Sequence, residues 1–290
     1  MKKIDGVYTI GDLRKSVLDL YTGKSHKQYD CGFDAMKPYF KLVKPSFNLI
    51  TGTPNSGKSS FCFDITMNNA REHDFKYAVF SPEHSLAVNV KRLVEKYVRK
   101  PFDIMFEKRL NAKELDNALE FIAEHFFFID KKDDSPDVDW ILERAYQCVE
   151  HFKIDGLVID PYNEINPTRN NLREDEHISL LISKIKKFNR ETHTITFIVA
   201  HPNKQIRQPD GRYVVTSIYD VSGSSHWFNK TDTAIVVNRD AEKGFTEFRV
   251  AKVRELDVMG TLGEFQLVWN PSTRCFEDFH RQTIDFKGKI

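Results

Sequence analysis

The octapeptide Gly52-Thr53-Pro54-Asn55-Ser56-Gly57-Lys58-Ser59 constrains this chain more than any other feature. It fits G-x-x-x-x-G-K-[ST] in full. The apolar run Phe47-Asn48-Leu49-Ile50-Thr51 precedes it, and a helical pattern from Ser59 to Ala70 follows. A strand that turns through such a loop into a helix presents backbone N–H groups to an anion at the helix N-terminus. The glycines permit the tight path, Lys58 offsets β- and γ-phosphate charge, and the Ser59 hydroxyl is the magnesium ligand of this pattern. Gly52, Thr53, Pro54, Asn55, Ser56, Gly57, Lys58, Ser59 and the adjoining Ser60 are therefore the candidate nucleotide-binding residues. ATP is the expected nucleotide and Mg2+ the expected metal.

The pattern around this loop is strand, then helix, repeated. Apolar runs at 77–81, 126–129, 156–160 and 196–200 read as further strands, and helical periodicity fills 85–99, 137–151 and 179–189. Runs that are apolar on both faces call for a mostly parallel sheet covered by helices. Past residue 230 the helices are expected to stop, with 234–237, 247–251 and 263–269 extending the sheet as antiparallel strands. Residues 12–21 carry apolar side chains at helical spacing and are followed by Gly23. A Gly, Asp and Pro-bearing stretch separates them from the rest, so this helix is free to dock elsewhere, including on another subunit.

Three strand ends and one late strand carry further candidates. Leu157-Val158-Ile159-Asp160 is an apolar strand ending in an acid, the form taken by a second Mg2+-organising carboxylate. Glu83, in Phe80-Ser81-Pro82-Glu83, follows a strand whose carboxyl end faces the ligand crevice of an open α/β sheet. There a carboxylate can activate water, although an acid near a helix N-terminus is also what the dipole favours. His201 follows the fifth strand and is placed to touch a γ-phosphate; a loop histidine on the surface is the competing reading. Lys252 and Arg254 share one side of a strand. Their guanidinium and ammonium suit a neighbour's phosphate, and equally a solvated strand face beside Glu255.

Composition sets looser limits. Of 290 residues 40% are hydrophobic and 29% charged, which is ordinary for a globular protein. The net charge of +1 does not advertise nucleic-acid binding, so any such site must come from local basic residues. The four cysteines have neither C-x-x-C spacing nor histidines at ligand spacing, which points to a reducing compartment. No apolar stretch follows the basic start Met1-Lys2-Lys3, and no run reaches membrane-spanning length. A cytoplasmic protein of a bacterium or phage-infected cell, with no signal peptide and no membrane partner, is the expectation.

Taken in order, these blocks resemble one family, the DnaB and Twinkle type of RecA-fold replicative helicase. The blocks are the phosphate loop, Phe80-Ser81-Pro82-Glu83, the Asp160 strand, and His201-Pro202-Asn203-Lys204. Ser222-Gly223-Ser224, Asp232-Thr233-Ala234, Lys252-Val253-Arg254 and Gly260-Thr261-Leu262-Gly263 complete the set. The resemblance implies a RecA-like P-loop NTPase core at 31–285 preceded by an N-terminal linker-helix region at 1–30. It implies that Lys58 and Ser59 bind ATP and Mg2+, that Asp160 supports the metal, that Glu83 is the catalytic carboxylate and that His201 senses the γ-phosphate. Lys252 and Arg254 would complete the ATP site of an adjacent subunit in a homo-hexameric ring travelling 5′ to 3′ on single-stranded DNA. DNA contacts would fall on Arg169, Arg173, Lys204, Arg207, Arg212 and Ser222, and a primase is an implied partner. Two departures stand out: Asn203 where relatives often carry Arg, and the bulky Trp227-Phe228 in a region expected to face DNA. The rival readings are a recombinase-like or regulatory DNA-dependent ATPase without unwinding, which strand-displacement assays would distinguish, and a nucleotide kinase. Against the kinase stands the lack of an Arg-rich lid after the sheet core.

Overall fold

The computed structural model describes residues 4–23, 27–131, 136–167, 173–202, 217–221, 224–239 and 243–279. Its centre is one nine-stranded sheet. In chain order the strands are β1 (Ser46–Gly52), β2 (Tyr77–Phe80), β3 (Phe126–Ile129), β4 (Gly156–Ile159), β5 (Ile195–Val199), β6 (Thr233–Arg239), β7 (Thr246–Val253), β8 (Gly263–Asn270) and β9 (Cys275–Asp278). In space they run β3-β2-β4-β5-β1-β6-β7-β8-β9. The pairs among β1 to β6 are parallel, and those from β6 to β9 antiparallel. The 234–237 strand was expected to be antiparallel; it pairs parallel to β1 and antiparallel to β7. A helix at Ser224–Lys230 precedes it, and a crossover of that kind is what lets a chain return in the parallel sense.

The helices are α1 (Ile10–Tyr21), α2 (Lys58–His73), α3 (Leu86–Val98), α4 (Ala112–His125), α5 (Val138–Phe152), α6 (Glu174–Thr192), α7 (Ser224–Lys230) and α8 (Leu256–Met259). Alternate residues of the parallel strands feed two cores. Ile50, Val79, Val158, Phe197 and Ile235 face the layer of α2 to α4, whereas Leu49, Ala78, Leu157, Ile198 and Ala234 face α5 to α7. Helix α5 buries Val138, Ile141, Leu142 and Ala145, the i, i+3, i+4, i+7 stripe of a helix packed on one side. The antiparallel strands pack on α2 through Phe61, which lies 4.4 Å from Phe248 and 6.2 Å from Phe276 between ring centroids. Helices did not stop at 230, since α8 interrupts the late strands.

Trp227, in the region expected to face DNA, is fully buried on α7. It stacks at 6.3 Å on Phe47 and meets Tyr162 edge-on at 5.2 Å, so its bulk belongs to the core. Trp227→Ala is expected to lower unfolding free energy by ~3–5 kcal/mol, read from the urea midpoint. Helix α1 has the opposite character. Thr9 and Asp12 form a capping box at its start, yet none of its residues is buried. Ile10, Leu13, Val17, Leu18, Leu20 and Tyr21 are all exposed. Among the described residues no helix is long and apolar enough to cross a membrane. All four cysteines are free thiols, three of them buried.

Candidate active site

Four adjacent parallel strands, β2, β4, β5 and β1, end on the same edge of the sheet. Glu83 follows β2, Asp160 caps β4, His201 lies just beyond β5, and the Gly52–Ser59 loop leaves β1. Parallel pairing forces these tips together, which is why residues over a hundred positions apart share one crevice. The loop needs its glycines. Gly57 takes the left-handed conformation at the start of α2 (φ 92°), and a Cβ on Gly52 would stand 1.9 Å from the Val237 carbonyl oxygen. The first helical bond runs from the Phe61 N–H to the Gly57 carbonyl. The N–H groups of Lys58, Ser59 and Ser60 therefore lie in the open first turn.

A cavity of about 460 Å³ opens at this edge. Asn55, Gly57, Lys58, Ser59 and Ser60 line it, with Glu83, Arg92 and His201 across from them. Gly52, Thr53, Pro54 and Ser56 belong to the same loop but do not line the cavity. Lys58 is buried, and its Nζ donates to the Thr53 and Gly52 carbonyls at 2.8 and 3.2 Å. Burial pulls its ammonium down to about 8, against the opposing pull of the Asp160 and Glu83 charges. Asp160 sits behind Ser59, whose hydroxyl donates to Oδ1 at 2.9 Å. Burial pushes this carboxyl up to about 6; the Ser59 hydrogen bond and the charges of Arg92 and Lys58 draw it back, while Glu83 adds to the rise. Burial likewise holds the His201 imidazole below its ordinary value, with Lys58 acting in the same direction. The backbone N–H of His201 is anchored on Asn163 Oδ1 at 2.9 Å.

These features fit a nucleoside triphosphate with its magnesium. Among the described residues Ser56 Oγ is buried without a hydrogen-bond partner, in the loop whose Asn55, Gly57, Lys58 and Ser59 line the cavity. Lys58 sits with backbone carbonyls, acceptors that a phosphate oxygen can replace. Ser59 and Asp160 are already in contact, an oxygen pair suited to a hard divalent ion. Glu83 is exposed on the cavity wall, where a carboxylate can accept a proton from water.

Arg92 went unnoticed in the sequence. Its guanidinium hydrogen-bonds the His84 ring, lines the cavity and contributes to the field at Asp160. A signal was present: on α3 the polar residues Asn89, Arg92 and Lys96 recur at helical spacing on a side that also buries Leu93.

The expected trans residues lie elsewhere. Val253 pairs with Thr233, and Asn48 pairs with that same Thr233, so Lys252 and Arg254 sit at the opposite end of β1 from the phosphate loop. Seven strand residues separate the two ends, roughly 20 Å. Arg254 Nε donates to Asp232 Oδ1 at 2.7 Å, and Lys186 reaches the same oxygen at 2.5 Å. Arg254 also reaches the Asn229 and Thr231 carbonyls at 2.8 and 3.2 Å, while Lys252 hydrogen-bonds the Phe228 carbonyl. Burial lowers Lys252 to about 8, helped by Arg254. The Arg254 side chain remains 42% exposed.

The residue set expected for DNA is less visible. Arg169, Lys204, Arg207, Arg212 and Ser222 lie outside the described residues. Arg173 is described and exposed, just ahead of α6, paired with Asp175 at 2.8 Å.

A family profile described as the DnaB-like helicase C-terminal domain matches residues 30–278. The chain belongs to that family. Among curated proteins it is 33% identical over 287 residues to the Twinkle homolog protein, chloroplastic/mitochondrial, of Arabidopsis thaliana, covering 94% of this chain and 40% of that one. It is 22% identical over 234 residues to a probable plasmid replicative DNA helicase of Chlamydia psittaci, covering 77% and 50% respectively. The chain thus spans half or less of the length of either relative. Two solved structures share the fold. One is an isolated ATPase domain, with a TM-score of 0.74, 19% identity and coverage of 95% of this chain and all of that one. The other is a DnaB-like replicative helicase described with its interactions with primase, at 0.73 and 20%, covering 95% and 68%. The mixed sheet, parallel with antiparallel strands at its C-terminal side, is the ATPase-domain fold of DnaB-like proteins, and nucleotide binding comes with it.

Proposed function

We propose that this chain is the ATP-hydrolysing motor of a DnaB-like DNA helicase that travels on single-stranded DNA. The observation that carries the reading is the shared cavity of Lys58, Ser59, Glu83, Arg92 and His201, with Asp160 behind it, in a member of this family.

In this reading the loop amides and Lys58 hold the β- and γ-phosphates, and Ser59 and Asp160 hold Mg2+. When bound, that ion neutralises phosphate charge and orients the triphosphate for in-line attack. Glu83 accepts the proton of the attacking water, and neutral His201 reads the γ-phosphate through a hydrogen bond. Arg92 clamps the same phosphate in cis. Arg92→Ala is expected to weaken ATP binding roughly 10- to 100-fold, the worth of one charge-assisted hydrogen bond, as measured by competition with a fluorescent nucleotide.

Lys252 and Arg254 are assigned to the ATP site of the next copy in a homo-hexameric ring, since they face away from their own phosphate loop. Residues 1–30 are assigned as the linker region and 31–285 as the motor domain. The uncovered apolar side of α1 is then the part that packs on a neighbouring copy, consistent with none of its residues being buried. The candidate DNA residues are Arg169, Arg173, Lys204, Arg207, Arg212 and Ser222. A primase is the proposed protein partner, and a reducing interior the proposed compartment.

The deciding experiment is ATP turnover with and without single-stranded DNA, paired with native mass under ATP. Acceleration by DNA together with a six-fold mass is the expected result. Turnover indifferent to DNA would reject the motor assignment, and hydrolysis without strand displacement would favour a DNA-dependent ATPase that does not unwind.

A further inference from the structure

Beside the same cavity, which Lys96 also lines, Lys96 of α3 and Asp64 of α2 form an ion pair at 2.9 Å, each side chain 4% exposed. Lys96 Nζ also donates to Ser60 Oγ at 2.6 Å and to the Arg274 carbonyl at 2.7 Å, and stands 4.6 Å over the Trp269 ring. The second Asp64 oxygen accepts the Phe276 N–H at 3.0 Å. One buried pair therefore ties the phosphate-loop helix, the helix bearing Arg92, and both strands of the β8–β9 hairpin next to its turn. Trp269 and Arg274 line the cavity beside it. An aromatic wall suits a base rather than a phosphate, so the nucleoside is the part of a nucleotide that Trp269 would meet.

An ion pair so deeply buried is a poor source of stability. Its desolvation cost is close to its Coulombic gain, and well-packed apolar residues serve a fold equally well. What the pair supplies is direction, because three donors and two acceptors are satisfied in one arrangement of the three elements.

We propose that the Lys96–Asp64 pair is a positioning device for nucleoside recognition, holding the β8–β9 hairpin against α2 so that Trp269 and Arg274 form the wall that meets the nucleoside. This rests on the nucleotide-binding reading of the cavity and adds the residues that set its specificity.

The test compares ADP with inorganic pyrophosphate by titration calorimetry on the full chain. Pyrophosphate reads the phosphate loop alone. Lys96→Met combined with Asp64→Leu keeps volume and removes both charges, so the fold is expected to persist, checked by thermal unfolding. ADP affinity is expected to fall about tenfold, with pyrophosphate affinity unchanged. Should that variant unfold, Trp269→Leu, at a half-buried position, carries the same expectation. Equal weakening of both ligands, or of neither, overturns the inference. An unaltered chain that binds neither ligand sinks the nucleotide reading, and this inference with it.

Discussion

Arg254→Ala is expected to reduce DNA-stimulated ATP hydrolysis by ~10³–10⁵-fold, the scale of an arginine finger, while ADP binding survives. The two readouts separate because Arg254 lies at the far end of β1 from its own Lys58 and cannot touch the nucleotide held there. The fold should tolerate the change. Asp232 keeps Lys186 on Oδ1 at 2.5 Å and the Phe47 N–H on Oδ2 at 3.0 Å, so no buried carboxylate is left without a partner. Arg254 is also too exposed for its ion pair to be worth more than ~1 kcal/mol. Mixing provides the sharper check. Arg254→Ala copies retain an intact phosphate loop, and Lys58→Ala copies retain an intact finger. Equal amounts in one ring should recover hydrolysis that neither variant shows alone. Near-normal turnover in pure Arg254→Ala would remove the trans role.

Glu83→Gln should slow single-turnover hydrolysis by ~10²–10⁴-fold, the usual contribution of a positioned general base. The substitution preserves shape and removes the proton acceptor. ADP affinity is expected to hold, because the phosphates are gripped by Lys58 and the loop amides on the other wall. The competing role for this residue is an acid favoured by the dipole of α3. That role would cost ~0.3–1 kcal/mol of stability and leave turnover intact. A Glu83→Gln protein with normal hydrolysis and a lowered unfolding midpoint would decide for the dipole.

Much of this was legible in one dimension. Strands expected at 47–51, 77–81, 126–129, 156–160 and 196–200 lie within a residue or so of β1 to β5, because a strand in the middle of a covered parallel sheet is apolar along most of its length. The residues ending those strands were legible for the same reason, since parallel pairing leaves their tips one common edge. Helix α4 was overlooked although Asn111 and Glu114 form a capping box at its start, a pattern readable in the sequence. Strand β9 is four residues long and draws its identity from pairing with β8, which no local pattern displays.

By itself, the amino-acid order determined the phosphate loop, the alternation of strand and helix, and hence a crevice bordered by Lys58, Glu83 and His201 with Asp160 behind it. These follow from local rules: a glycine-permitted turn, apolar periodicity, and the single edge shared by parallel strands. Only the tertiary structure decided that Trp227 is core, that Arg92 reaches the cavity, that Asp64 pairs with Lys96, and that Arg254 rests on Asp232 away from its own nucleotide loop. Those outcomes depend on which elements meet across long sequence separations, and a side chain's partner in such a meeting leaves no mark on its neighbours in the chain.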